Sequence, residues 1–272
     1  MRGNVRVHQR KIIAKKRKRL LLVSLSIFFA VALVVTGFAF LSHAGFVTIG
    51  EVSVAGNKRL SETYITGIAN TLLDGNYMYV FSRRADFLYP HNAISSALLG
   101  EPIIKSVDVG RDGLTALSIS VEERQEVARF CSGKEGDSSQ CFAVDENGFV
   151  FSPSDDSTMI AYRDSTTSDP LGKSLFGTPA EFKGIQFFLH ELVTLGVDPR
   201  EAVMGEAGYM TVILGGGGTL IIDTGDDLSS VLANISSILG DATIAKTQAD
   251  FLSKLDYMRL DAGNKVFYKL KK

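Results

Sequence analysis

The first strong pattern along the chain is an unbroken apolar stretch near the N-terminus. Residues 20–41 contain 22 positions without a charge, and as a helix rising about 1.5 Å per residue they would span about 33 Å. That length matches the roughly 30 Å of a bilayer's hydrocarbon core. The pattern therefore predicts a single transmembrane helix.

The next segment alternates between the periods of strands and helices. Val52 and Val54 alternate with polar neighbours, which predicts a half-buried strand. Ser61 is placed to cap a helix with one apolar side at 3.6-residue spacing: Tyr64, Ile65, Ile68, Leu72 and Leu73. A second helix is predicted over 91–99, and alternating patterns at 106–109 and 117–122 predict two strands. The predicted order is strand, helix, helix, strand, strand.

The second half of the chain mixes the same two periods. Residues 152–179 are rich in Ser, Thr, Asp, Pro and Gly and predict loops plus a short strand, with an interdomain linker as the alternative. Apolar stripes predict helices at 182–195 and 228–239. Strands are predicted at 209–214, at 219–223 and at the C-terminus. The fold class is therefore α+β.

Charge is distributed unevenly around the apolar stretch. Residues 1–19 hold nine of the 29 basic residues and no acid, which leaves 20 basic against 30 acidic residues in the rest. The positive-inside rule places this basic N-terminus in the cytoplasm and the bulk of the chain outside it. A cleaved signal peptide is the competing interpretation, but the apolar stretch exceeds the usual length of a signal h-region. A nucleic-acid-binding arm is disfavoured because the cations adjoin an apolar span.

The two cysteines, Cys131 and Cys141, flank a short polar stretch that predicts a hairpin loop. In an oxidising compartment they are able to pair, and closing so short a loop would stabilise the fold by about 2–3 kcal/mol. Two reduced thiols are the alternative. The spacing is not that of a Cys-x-x-Cys redox site.

Catalytic patterns are weak. Asp223-Thr224-Gly225 is like the catalytic turn of aspartic proteases, but one copy would require a homodimer with paired carboxylates. Residues 172–174 imitate the end of a phosphate-binding loop, and the preceding sequence lacks the rest of that motif. The four histidines are scattered without metal-ligand spacing. The sequence predicts no enzyme activity, no metal and no cofactor.

Several motifs together resemble the FtsQ/DivIB family of bacterial cell-division proteins. Residues 52–61 (VSVAGNKRLS) resemble the start of the family's POTRA domain, and residues 102–124 resemble its paired strands. Residues 127–130 (VARF) resemble the segment that leads into the family's β domain. Residues 144–151 (VDENGFVF) resemble its "VD-x-x-G-x-VF" strand. Gly113, Gln125-Glu126 and Phe130 depart from residues common in relatives.

The resemblance implies the domain organisation. It implies a β-α-α-β-β POTRA domain after the membrane helix, and then a mixed α/β domain, the β domain, that ends in an exposed edge strand. The predicted divisions are a cytoplasmic basic tail at 1–19, a transmembrane helix at 20–41, a linker at 42–48, the POTRA domain at 49–124 and the β domain at 125–272.

The C-terminal segment resembles the family's partner-binding region. Residues 259–266 keep the pattern Arg-x-Asp-x-Gly-x-x-Val, and in relatives this edge accepts a strand of FtsB or DivIC. The resemblance implies these contact residues: Arg259, Leu260, Asp261, Ala262, Gly263, Val266, Phe267 and Tyr268. The alternative is that the aromatic residues close the core. Because side chains alternate along a strand, about half of them can face a partner.

The resemblance also implies the function. It implies a non-enzymatic scaffold of the divisome in the cytoplasmic membrane, active during septum formation, that recruits FtsB or DivIC together with FtsL. Other division proteins would meet the membrane anchor and the second strand edge of the POTRA domain. Membrane lipid is a partner and nucleic acid is not. The rival interpretations are a membrane-tethered aspartic protease that uses Asp223 and a POTRA-bearing translocation factor, which would need repeated POTRA units or a barrel.

Overall fold

The chain forms two compact units, one ending at Glu123 and one beginning at Arg124. This computed structural model describes residues 3–132, 140–164, 167, 169–205, 208–241, 243–244, 247–262 and 265–271. For residues 3–15 and 262 it describes the backbone alone. An apolar N-terminal helix is followed by sheets and helices, so the predicted α+β class is confirmed.

Helix α1 runs over Gly3–Ser42. Its segment Lys16–Ser42 is long and apolar enough to cross a membrane, and the side chains of this segment are exposed almost throughout. The predicted membrane helix therefore lies within α1, and residues 3–19 of the predicted basic tail form the first turns of the same helix. A short 3-10 turn follows at Gly45–Val47.

The first unit contains a three-stranded sheet with two helices. Its elements are β1 (Glu51–Ala55), α2 (Glu62–Leu73), β2 (Asn76–Tyr77), β3 (Phe81–Ser82), α3 (His91–Leu99), β4 (Ile104–Asp112) and β5 (Ala116–Glu123). The sheet order is β1-β5-β4, with β1 parallel and β4 antiparallel to β5. β2 and β3 form a separate hairpin. The core is built from both helices and the sheet: Ile49, Ile65, Ala69, Leu73, Ile94, Leu98, Ile104, Val109, Leu117, Ile119 and Val121.

The turn after β1 is fixed by two residues of the resemblance. Gly56 has φ +85°, and an added Cβ would lie 2.1 Å from the carbonyl oxygen of Val121, so no other residue fits. The carboxylate of Glu123 accepts hydrogen bonds from the backbone N–H groups of residues 58, 59 and 60 at 2.8, 2.8 and 3.0 Å. Burial acts to raise the pKa of Glu123, but these N–H groups hold it below its usual range.

The predicted cap and stripe of α2 are confirmed with one exception. The side chain of Ser61 accepts from the N–H of Tyr64 at 3.2 Å. Ile65 and Leu73 are fully buried, whereas Tyr64 is 45% exposed. Its hydroxyl donates to Glu101 at 2.7 Å, and this hydrogen bond raises the pKa of Tyr64. A polar hydroxyl thus keeps Tyr64 at the rim of the core.

The second unit is built on a nine-stranded sheet. Its elements are β6 (Ala128–Ser132), β7 (Cys141–Val144), β8 (Val150–Pro153), β9 (Ala161–Asp164), α4 (Pro179–Thr194), β10 (Pro199–Met204), β11 (Tyr209–Leu214), β12 (Thr219–Asp223), α5 (Leu228–Leu239), α6 (Gln248–Lys254), β13 (Leu255–Ala262) and β14 (Lys265–Leu270). The strand order is β14-β13-β12-β11-β10-β9-β6-β7-β8.

The core of this unit joins the helices to the sheet through aromatic side chains. Phe176 stacks on Phe182 of α4 with ring centroids 4.7 Å apart, and Tyr162 of β9 meets Phe176 edge-on at 5.0 Å. Burial raises the pKa of the Tyr162 hydroxyl. Val231 and Ile235 of α5 and Phe251 of α6 complete the same buried cluster. The helices pack on one face of the sheet, and the opposite face is partly exposed.

A disulfide joins Cys131 on β6 to Cys141 on β7, and the two residues are paired in the strand register. Most of the predicted loop between them, residues 133–139, lies outside the described residues. The next turn is held by buried Asp145, which pairs with Arg124 and accepts the N–H groups of Asn147 and Phe149 at 2.8 and 3.0 Å. These bonds give a physical reason for the Val-Asp-x-x-Gly pattern.

Candidate partner-binding edge

The terminal strand β14 lies at one end of the nine-stranded sheet. Among the described residues its only strand neighbour is β13, with Met258 opposite Tyr268 and Arg259 opposite Phe267. In an antiparallel pair alternate residues direct their N–H and C=O groups away from the neighbour. We call this outward side of β14 the open edge. Such an edge is a template for another strand.

The two faces of β14 differ. Val266 and Leu270 pack against the core, and the ring of Tyr268 meets Phe251 edge-on with centroids 5.5 Å apart. Phe267 points to the other face, where it is 55% exposed, and Tyr268 is 40% exposed. The open edge therefore has one aromatic side chain free on the outer face and another at the rim of the core.

Strand β13 supports the open edge from behind. Leu260 is 2% exposed and belongs to the core. Arg259 and Asp261 point to the outer face and form an ion pair at 2.6 Å, in which the carboxylate is nearly buried and the guanidinium is half-exposed. The hydrogen bond from Arg259 holds the pKa of Asp261 below its usual range, and the same bond raises the pKa of Arg259.

The predicted contact residues are thus spread over two strands. Arg259, Phe267 and Tyr268 are exposed and Leu260 is buried. Val266 and Asp261 are half-buried as whole residues, although the Asp261 side chain itself is nearly covered. Ala262 pairs through its backbone with Lys265. Gly263 lies outside the described residues. Alternation along the strands explains the division, since Met258 and Leu260 face the helices and Arg259 and Asp261 do not.

The prediction missed the cations of the open edge. Lys265 and Lys269 flank the exposed Phe267 on the outer face. Lys269 forms an ion pair with Asp256 at 2.8 Å, and this hydrogen bond raises the pKa of Lys269. Lys271 donates to the carbonyl of Gly216 at 2.7 Å. The sequence Lys-Val-Phe-Tyr-Lys carries this signal. Its two lysines are separated by an even number of positions, and such residues share one face of a strand.

The protease-like turn lies elsewhere in the same sheet. Asp223 ends β12, and its carboxylate accepts the N–H of Gly225 at 2.9 Å. The hydroxyl of Thr224 donates to the carbonyl of Gly208 at 2.7 Å. Both bonds hold a tight turn before Asp227, which caps α5. Within the described part of the chain, no group of three or more His, Cys, Asp or Glu is placed to hold a metal ion.

The open edge therefore offers backbone groups, two aromatic rings and a cationic rim. An extended segment can add to it as a tenth strand, with main-chain hydrogen bonds for affinity and side-chain contacts for selectivity. The lysines favour a segment with acidic residues. No protein-family model matches the chain, and no curated protein matches it significantly.

Proposed function

We propose that the chain is a non-enzymatic, membrane-anchored scaffold of the FtsQ/DivIB type in the bacterial division apparatus. Its β14 edge accepts a strand from an FtsB- or DivIC-type partner that is paired with an FtsL-type protein. The observation that carries this proposal is the open edge of β14 with Phe267 exposed beside it. The edge coincides with the segment on which the family resemblance is most specific.

The first unit supports the same proposal. Without the β2–β3 hairpin its elements run β-α-α-β-β, the order that a POTRA domain requires. β4, the second strand of that order, lies at an end of its sheet. Other division proteins would meet this unit there and would also meet α1. The Asp145 turn lies within residues 144–151, which resemble the family's VD-x-x-G-x-VF strand.

The surroundings of the anchor support an extracytoplasmic position for both units. The basic residues that precede the apolar part of α1 favour a cytoplasmic N-terminus. The disulfide between β6 and β7 favours an oxidising compartment. We therefore place the protein in the cytoplasmic membrane at the division septum, with one span and its folded units outside the cytoplasm.

The proposal is tested by calorimetric titration of the full chain in nanodiscs. The titrant is the extracytoplasmic segment of the FtsB or DivIC homologue from the same genome. We expect binding in the micromolar range or tighter, about −8 kcal/mol. Phe267→Ala should weaken it about tenfold, or about 1.4 kcal/mol, because it removes the exposed aromatic contact.

Phe187→Ala is the matched control. Phe187 lies on α4 and is 58% exposed, close to the 55% of Phe267, so it tests loss of an exposed phenyl ring away from the edge. The control should bind like the parent. Absence of binding by the folded parent, or equal weakening in both variants, contradicts the proposal.

The protease alternative makes a separate prediction. If the chain were a membrane-tethered aspartic protease, Asp223→Asn would abolish cleavage of an extracytoplasmic protein substrate and leave partner binding unchanged. The Asp223 carboxylate already accepts a turn hydrogen bond, which accounts for the residue without catalysis. If the parent cleaves such a substrate and Asp223→Asn does not, the protease interpretation is correct and the scaffold proposal is wrong.

A further inference from the structure

The β2–β3 hairpin exposes large apolar side chains at its tip. Met78 is 85% exposed and Tyr79 is 98% exposed, more than any other large apolar residue described outside α1. Val80, next along the tip, is 44% exposed. Contiguous apolar exposure of this kind marks a contact surface.

The backbone of the tip indicates that folding alone did not select these residues. Met78 and Tyr79 have φ values of 49° and 63°, in the left-handed region that is uncommon for residues other than glycine. Tight hairpin turns with such angles favour Asn-Gly or Asp-Gly. Two bulky apolar residues are strained there, and strain of this kind concentrates at functional positions.

The hairpin is held against the last turns of α1. The hydroxyl of Ser42 accepts from the N–H of Ser82 at 3.1 Å, and His43 Nε2 lies 3.0 Å from the carbonyl oxygen of Val80. An apolar groove separates the two elements and is lined by Val34, Val35, Phe38, Tyr77, Phe81, Phe87 and Leu88. These contacts fix the hairpin beside the end of the membrane span.

The groove reaches the depth of the hydrocarbon core. Val34 precedes Leu41, the last residue of the apolar stretch, by about two helical turns, or about 10 Å along α1. Side chains of the hairpin therefore share a groove with the apolar part of α1 that would span a bilayer. Because apolar side chains of α1 form one side of the groove, we infer that bilayer lipid around α1 is what occupies it.

We propose that the tip of the β2–β3 hairpin inserts into the lipid interface of the leaflet next to the folded units. Tyr79 is suited to this position because tyrosine concentrates at membrane interfaces. The Arg83 guanidinium lies 5.2 Å from the centre of the Tyr77 ring, so a cation accompanies the aromatic side chains of the hairpin. The proposal depends on α1 as a membrane anchor and goes beyond the division scaffold.

Tryptophan fluorescence of the full chain in vesicles tests this contact directly, because the chain contains no tryptophan. Tyr79→Trp would be reconstituted in mixed phosphatidylcholine and phosphatidylglycerol, with and without phosphatidylcholine brominated near the headgroup end of its acyl chains. Phe40→Trp on α1 is the positive control. Tyr64→Trp is the negative control. Tyr64 lies in the first turn of α2, about 14 Å along that helix from Leu73, which is the end of α2 that leads into the hairpin.

We expect blue-shifted emission from Tyr79→Trp and quenching by brominated lipid severalfold stronger than for Tyr64→Trp. Met78→Trp should behave in the same way, which guards against a local failure of one variant. If Phe40→Trp is quenched while both tip variants emit as in water, the hairpin does not insert. A blue shift without lipid quenching would mean that protein covers the tip, and it would also overturn the proposal.

Discussion

The two ends of the nine-stranded sheet are treated differently by the chain. At the β8 end, the N–H of Val150 donates to Lys173 and its carbonyl accepts from Gly172, at 2.9 and 2.8 Å. Phe149 forms a bridge with Ser174, and Pro153 ends the strand without an N–H. Segment 172–174 therefore covers this edge. At the β14 end, no strand among the described residues lies outside the edge.

Under the proposed function, this difference means that the covered edge and the open edge serve different purposes. An unprotected edge strand invites aggregation, and proteins cover such edges or place charge on them. The chain covers β8 with its own backbone and gives β14 exposed lysines together with an exposed Phe267. Charge discourages pairing of two identical edges, while the aromatic ring rewards a complementary one. We therefore expect the open edge to be selective.

The largest effect is expected from a residue of β13 that lies behind the open edge. Leu260→Ala should lower the free energy of unfolding by about 2–5 kcal/mol, because a buried leucine is replaced by a cavity. Denaturant unfolding of the full chain in micelles measures this, with Phe267→Ala as the exposed comparison. If the free energy of unfolding falls by less than half of what a core leucine gives, Leu260 lies at the surface. The distinction between the two faces of β13 would then be wrong.

Removing the disulfide should separate stability from binding. Cys131→Ser with Cys141→Ser is expected to reduce the free energy of unfolding by about 2–3 kcal/mol, because a ten-residue cross-link no longer restricts the unfolded chain. The affinity of the folded protein for the partner segment should not change, since β6 and β7 lie toward the covered edge. Loss of affinity in the folded double variant would contradict a site on β14.

Charge reversal compares the two edges directly. Lys265→Glu should weaken binding of an acidic partner segment by about 0.5–1 kcal/mol, because an exposed charge contributes modestly. Lys173→Glu, at the covered edge, makes the same change in net charge and should leave affinity unchanged. Titration at low and high salt measures both variants. Equal weakening by the two variants would indicate a general charge effect without a defined edge.

The smallest effect is expected from pH. The folded pKa of Asp261 is lowered by the hydrogen bond from Arg259, so its contribution to stability is present above the unfolded value of about 4 and is lost as pH falls through the folded value. Asp261→Asn should therefore flatten the acid loss of stability seen by denaturant titration. In an Arg259→Gln background the same substitution should have no such effect. If Asp261→Asn still flattens the acid loss of stability in that background, the ion pair with Arg259 is not the cause.

Local patterns predicted the elements well and their assembly poorly. The predicted bounds of α3, β11, β12 and α5 coincide with those in the structure, because glycine, proline or a capping aspartate stands next to the ends of each. The β2–β3 hairpin was missed because strands of two residues have no period. The sheet order was not predicted either. β9 pairs in parallel with both β6 and β10, and such non-local pairing depends on packing against α4 and the aromatic core.

The candidate site shows the same limit. The resemblance pointed to a segment, and the pairing of β13 with β14 shows that Phe267 is outward and Leu260 inward. A strand alternates its faces with a fixed period, so the sequence gives two groups of residues without saying which group meets the helices. Burial of Met258 against the core decides the choice. The lysines of β14 were visible in the sequence and gained meaning only beside an open edge.

Hydrogen–deuterium exchange of the full chain in nanodiscs tests the selective open edge most directly. Exchange would be followed in peptides covering β14 and β8, with and without the partner's extracytoplasmic segment. Strand addition predicts slower exchange at β14, because its outward N–H groups become hydrogen-bonded, and no change at β8. Saturating partner that leaves β14 unchanged, or protects β8 equally, would contradict the assignment of the binding site to the open edge.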